Sequence, residues 1–296
     1  MDKKLIIFLP LLSGIFWGGG GVFVRILNSC GLDNVSIFAS RVVLATILLF
    51  MGLLVFDRNA LKIKLNDIWL FIGSGIFGML LLNVCYNEAA FTLTLSLASV
   101  LLSIAPVFAL FLSAIFFGEN ITKRKILCLI LVIVGCLLVC GVFESSIDLS
   151  LHGVIFGVLS AIFWALYGVF SRISTDKGYS TYTVIFYSFL FASLMTIPFS
   201  DWSMFYSFLM ADPITNIPLA FAHSLFISIA PYVLFTVALK YVENGKATIL
   251  CGGAEPTSAT IFGLLIFLEV PTLLSIAGII ITIAALSLLV DSNKNS

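Results

Sequence analysis

The sequence predicts an all-α polytopic membrane protein: ten transmembrane helices in two five-helix halves of opposite orientation, with both termini cytoplasmic. Three observations carry that expectation. Of 296 residues, 61% are hydrophobic and only 10% charged, against about 25% charged in a soluble globular domain. Ten apolar stretches are each long enough to cross about 30 Å of hydrocarbon at about 1.5 Å per residue. The first stretch also reappears, altered, halfway along the chain. So few charges cannot clothe a 32.2 kDa body in water, which excludes a soluble enzyme, a disordered tail and a nucleic-acid partner. The 15 basic and 15 acidic residues cancel, so any selectivity must come from where charges sit.

The spans are expected at about residues 5–27, 34–56, 68–91, 94–117, 124–142, 151–172, 181–199, 217–240, 246–268 and 272–290. Each must be helical, because in lipid the backbone has to satisfy its own hydrogen bonds, and a barrel strand needs only about half that length. The longest connection, Ser200 to Asn216, holds Asp201, Trp202, Asp212 and Pro213 and reads as an interfacial loop. The apolar run after Lys3 and Lys4 is too long for a signal peptide and lacks a small-residue cleavage site, so it reads as span one. Cys30, Cys85, Cys128, Cys136, Cys140 and Cys251 form no C-x-x-C pair and read as small apolar fillers. Trp69 and Trp202 fall near span ends, where tryptophan anchors a helix at the interface.

Orientation follows from the basic residues alone. With a cytoplasmic N-terminus, the inner segments hold Lys3, Lys4, Arg58, Lys62, Lys64, Lys123, Arg124, Lys125, Arg172, Lys177, Lys240, Lys246 and Lys294. The outer loops hold none, and Arg25 and Arg41 fall within spans one and two. The outer loops carry the acids Asp33, Glu144, Asp148, Asp201 and Asp212.

Two echoes divide the chain at about residue 147 into halves 1–147 and 148–296. The stretch from Ser13 to Ile26, SGIFWGGGGVFVRI, recurs 147 positions later as SAIFWALYGVFSRI, from Ser160 to Ile173, with nine of fourteen positions identical. Pro106, Phe117, Glu119 and Thr122 recur 150 positions on as Pro256, Phe267, Glu269 and Thr272. Five spans is an odd number, so the second copy enters the membrane from the opposite side, giving an inverted-topology repeat around a central site.

The ten short-looped spans, the S-x-I-F-W-x-x-x-G opening of each half and the Pro-x12-Glu-x2-Thr close of spans four and nine resemble the EamA-type members of the drug/metabolite transporter superfamily. The resemblance covers nearly the whole chain. It implies a transporter in a bacterial cytoplasmic membrane, with a cavity built mainly from spans one, three, four, six, eight and nine. It leaves the cargo open, since that family moves amino acids, other metabolites and drugs.

Several residues are candidates for the cavity. Pro106 and Pro256 each remove a mid-span hydrogen bond and free the carbonyls of Leu102 and Gly252, so paired breaks are expected there, as binding sites or as packing kinks. Gly20 stands among Gly18–Gly21, which either admit a close neighbour or permit bending; span six keeps only Gly168 of the four, beside Tyr167. Trp17 and Trp164 lie at equivalent depths, far from the interface tryptophan prefers, as cavity walls or as packing between the halves. Asn83 and Asn87, one turn apart, are cavity hydrogen-bonders or contacts between helices.

Glu255 would cost on the order of 3 kcal/mol if unpaired so deep in a span, so it should face the interior. There it can carry a proton, dock an amine, or cap a helix break at Gly252 and Pro256. Arg41 and Glu88 are expected to pair between spans two and three, as scaffold or as an external gate. His223 is a proton-coupling candidate or an interface residue, and Glu119 and Glu269 read as structural groups at the membrane surface.

The resulting expectation is a secondary transporter working by alternating access. A small amphipathic small-molecule substrate, an amino acid or amine, is moved outward, with the proton as candidate coupling ion. Scarce buried positive charge argues against phosphate-rich cargo, and no ATP-binding loop is visible. The alternatives are uptake of another metabolite or drug class, a channel, or a membrane-embedded enzyme, against which stands the lack of H-E-x-x-H, G-x-S-x-G and clustered acids. No cofactor and no metal are called for. The remaining partner is the lipid bilayer, with the chain a monomer or a homodimer.

Overall fold

The computed structural model describes residues 6–93, 95–139, 142, 150–268 and 270–291. Lys3, Lys4, Cys140, Glu144, Asp148, Glu269 and Lys294 lie outside the described residues. All regular structure described is helical. Nine described helices are long and apolar enough to span a bilayer. They are Leu9–Ser29 (span one), Asn34–Phe56 (two), Leu65–Ala90 (three), Val100–Phe117 (in span four), Leu151–Asp176 (six), Thr181–Phe199 (seven), Pro213–Ala238 (eight), Asn244–Phe267 (nine) and Leu273–Val290 (ten). The expected fifth span is described over 17 residues, Lys123–Val139.

Helix starts are set by capping side chains. Asp33 accepts from the Ser36 amide at 2.8 Å, Ser150 from Gly153 at 3.4 Å and Ser180 from Thr183 at 3.1 Å, each satisfying an amide the first turn leaves unpaired. Spans four and nine stop at left-handed residues, Gly118 (φ 65°) and Leu268 (φ 56°), which are 150 positions apart. The segment expected as a loop from Ser200 is mostly helix. Asp201 caps Trp202–Ala211 through the amides of Ser203 and Met204, and Pro213 then opens span eight, because proline fits a first helical turn.

The two proline breaks differ. Span four is interrupted at Ile104, between Leu95–Ser103 and Ala105–Phe117, with Pro106 in the first turn of the second piece. Span nine runs through Pro256 unbroken, which corrects the expectation of paired interruptions. The Gly252 carbonyl that Pro256 frees faces the Cys136 thiol (S···O 3.9 Å), so it keeps a weak donor and the helix need not open.

Positions related by the sequence repeat are in contact. Equivalent residues meet each other: Thr46 and Ser193, 147 apart, hydrogen-bond at 2.9 Å, and the Trp17 and Trp164 rings lie 4.8 Å apart. Loosely wound π-helical turns recur at Gly73–Leu81 in span three and Ser224–Ile229 in span eight, again related by a shift of 150. Span one lies flush on span nine because Gly14 and Gly18 lack side chains. A Cβ on Gly14 would stand 2.8 Å from that of Ala254, and one on Gly18 would stand 2.5 Å from the Glu255 carbonyl oxygen.

Apart from Arg41 and Glu255, most charged residues described gather at the two ends of this bundle. At one end, here the basic end, Lys177 pairs with Asp67, Arg172 with Glu119, Lys125 with Glu243, and Arg124 donates to the Leu288 carbonyl. The opposite, acid end carries Asp33, Asp201 and Asp212.

Candidate functional site

A cavity of about 920 Å³ opens at the acid end and reaches the middle of the bundle. Its inner wall is aromatic. Trp17 meets Trp164 edge-on at 4.8 Å and Tyr232 edge-on at 4.9 Å, and Trp164 also lies 5.2 Å from Phe235. Ser13, from the repeated opening motif, donates to the Pro231 carbonyl at 2.8 Å, which fixes span one against span eight beside Tyr232. Tyr232 was not foreseen from the sequence. The available signal was an aromatic residue directly after a mid-span proline.

Trp17, Gly20, Asn83, Asn87, Pro106, Trp164, Gly252, Glu255 and Pro256 all line the cavity, with Arg41 and His223. Span two contributes through Phe38 and Arg41, beyond the helices that the family resemblance implies. The four central glycines divide the work: Gly18 packs on span nine, Gly19 is the junction between Leu9–Gly18 and Gly20–Ser29, and Gly21 has open space where a Cβ would be. Gly252 stands opposite Pro106, where a Cβ would meet the proline ring at 3.5 Å.

Three expectations change. Tyr167 does not line the cavity. It is fully buried behind Trp164, stacked on it at 5.6 Å and hydrogen-bonded to Thr236 at 2.9 Å, because Gly78 of span three packs directly on its backbone. Arg41 and Glu88 do not pair. Arg41 reaches Asn83 Oδ1 at 3.3 Å and lies 5.1 Å over Phe38, while Glu88, on the exposed face of span three, meets His152 at 3.0 Å. His223 is 2% exposed, stacked on Phe23 at 5.4 Å and an electrostatic neighbour of Arg41. Glu255 caps no break, since span nine is continuous there.

The basic end is closed by a network the sequence reading left as surface structure. Glu119, whose side chain is 6% exposed, accepts from Arg172 Nη1 at 2.8 Å and from the amides of Asn244 (3.0 Å) and Gly245 (3.4 Å). One carboxylate thus ties the end of span six to the start of span nine, where the helix dipole favours negative charge. Asn244 adds a bond to Ser113 of span four at 3.0 Å, and the Arg172 guanidinium lies 5.0 Å over Phe117. At the positions equivalent to these in the sequence repeat, Arg25 lies 4.9 Å over Phe267. The signal for this network was in the repeat: Arg25 and Phe267 are the equivalents of Arg172 and Phe117.

The sequence pattern of the EamA-like transporter family matches residues 4–141 and again residues 151–291. The chain is 28% identical over 269 residues to an uncharacterized transporter of Archaeoglobus fulgidus, covering 90% of each. It is 28% identical over 261 residues to the pseudopaline exporter CntI of Pseudomonas aeruginosa, covering 88% of this chain and 87% of the relative. A protein of known crystal structure superposes with a TM-score of 0.75 at 16% identity, over 100% of this chain and 99% of that one, which shows the shared fold. The chain is a membrane transporter and belongs to the EamA-like transporter family.

Proposed function

We propose that this transporter exports a small amphipathic metabolite, an amino acid or amine, across the bacterial cytoplasmic membrane by alternating access. The supporting observation is a deep cavity, open at one end and latched at the other, within a repeated fold. Its volume of about 920 Å³ falls within the several hundred to about 1,000 Å³ typical of small-molecule sites. The basic end faces the cytoplasm under the positive-inside rule, so both termini are inside and this conformation is open outward. The halves 1–147 and 148–296 are the two inverted copies. The opposite state follows from exchanging their roles: the basic end opens and the acid end closes, so that the aromatic wall never faces both sides at once. Export is supported by the name of the Pseudomonas aeruginosa relative.

Glu255 supplies the coupling chemistry. One carboxylate that holds either an ammonium group or a proton, never both, exchanges an outgoing amine for an incoming proton across a full cycle. His223, beside Arg41, is the second group in the cavity able to take up a proton. The test is counterflow in proteoliposomes with a panel of amino acids and amines, repeated with Glu255→Gln. Saturable, trans-stimulated exchange that loses its proton dependence in the variant is expected. Unsaturable flux would show a pore, and no exchange with any member of the panel would remove the cargo assignment.

A further inference from the structure

Resting on the cargo reading above, we propose that the cavity binds a zwitterion by both poles: Arg41 with Asn83 takes a carboxylate, and Glu255 takes the ammonium group. Arg41 reaches the cavity wall with one Nη2 donor on Asn83 Oδ1 at 3.3 Å and its guanidinium over Phe38. Asn83 is itself held by donation to the Met79 carbonyl at 2.8 Å. Among the described residues no carboxylate lies within ion-pair distance of Arg41. A guanidinium offers five donors in a planar fork matched to a carboxylate, so most of its capacity is left for a ligand.

Glu255 lines the same cavity, and its carboxyl group has no ion pair among the described residues. Arg41 carries its charge at membrane depth without a counter-ion, and Glu255 must hold a proton there until a cation arrives, so the empty site is costly. A ligand carrying both complementary charges satisfies them together. Tyr232 is an electrostatic neighbour of both and packs edge-on to Trp17 at 4.9 Å.

The placement also orients the ligand. Arg41 is the eighth residue of Asn34–Phe56, counted from the open end, and Glu255 is twelve residues back from Phe267. At about 1.5 Å per residue the Glu255 backbone lies about 7 Å deeper. The carboxylate therefore points toward the mouth and the ammonium group toward the midplane.

The test titrates the detergent-solubilised full chain, by fluorescence of its tryptophans, with L-phenylalanine, L-phenylalaninamide and 3-phenylpropionate. The wild type should bind L-phenylalanine more tightly than either single-pole analogue. Arg41→Gln should weaken L-phenylalanine and 3-phenylpropionate by about 10- to 100-fold and leave the amide unchanged, the range expected for a hydrogen bond to a charged group. Glu255→Gln should do the reverse. The analogue each variant still binds certifies that it has folded; should Arg41→Gln not fold, Arg41→Lys must still weaken the two carboxylates selectively. Equal weakening of all three ligands, or of none, overturns the two-pole site while leaving the cargo reading intact. No binding of any of the three by the wild type also overturns the two-pole site, and the cargo reading then stands or falls with the counterflow panel.

Discussion

Neutralising Glu119 should unlatch the basic end. In Glu119→Gln the ion pair to Arg172 becomes a neutral contact, while one amide oxygen remains to cap Asn244. Removing one partner of a fully buried pair costs about 3–5 kcal/mol. Arg172 is 22% exposed, so solvent screens part of that, and about 2 kcal/mol is the appropriate scale. At about 1.4 kcal/mol per tenfold this shifts the balance between the two states by about 30-fold toward the one open at the basic end. The repeat supplies a matched pair of reporters. Ala259 lines the open cavity, and its equivalent 150 positions earlier, Ala109, is fully buried. With all six native cysteines replaced, Ala259→Cys should react with a small thiol reagent and Ala109→Cys should not. Adding Glu119→Gln should raise labelling at 109 and lower it at 259. If neither rate changes, the network does not hold the end shut.

Gly18→Ala should destabilise the bundle by about 1–3 kcal/mol, because its Cβ would meet the span nine backbone. Gly21→Ala, facing open space, should be silent in the same thermal denaturation. Leu268→Gly should raise the melting temperature, since a left-handed non-glycine residue costs about 1–2 kcal/mol and the equivalent Gly118 already meets that need. Asp201 is held below the usual carboxylate range by the Ser203 hydroxyl first and then the Met204 amide. A depressed acid stabilises above its unfolded value, so this cap is lost as pH falls below about 4. Hydrogen exchange in Trp202–Ala211 should accelerate there, and Asp201→Asn should remove that pH dependence.

The spans were legible because hydrocarbon thickness imposes one length and one periodicity on every helix, and the repeat because Ser13–Ile26 and Ser160–Ile173 share so many residues. Most cavity residues were legible for a related reason: a proline, tryptophan or carboxylate deep in a span must face protein. What the sequence hid was lateral. Whether Arg41 meets Glu88 or Asn83 depends on the rotation of spans two and three about their own axes, and apolar residues surround those helices on every side. The thiol that meets the carbonyl freed by Pro256 comes from 116 positions away.

The repeat also shows where specificity has to reside. In the proposed cycle, groups that recur in both halves build the moving frame: Trp17 with Trp164, Thr46 with Ser193, Arg25 over Phe267 and Arg172 over Phe117. Under the proposed exchange of roles such pairs do the same work in both states, so they do not distinguish one end of a ligand from the other. The cavity charges Arg41 and Glu255 do not recur. Ser188 stands 147 positions after Arg41, buried and bonded to Ser74 at 2.5 Å, and Ala105 stands 150 before Glu255. A symmetric frame with an asymmetric pair of charges can turn over without turning its ligand around. Moving the carboxylate to its equivalent position, with Glu255→Ala plus Ala105→Glu, keeps it on the wall of the same cavity, which Ala105 also lines, and leaves Arg41 in place. Binding of L-phenylalanine should then depend on the glutamate installed in span four, and its failure to do so in a folded double variant would show that the frame itself selects the ligand.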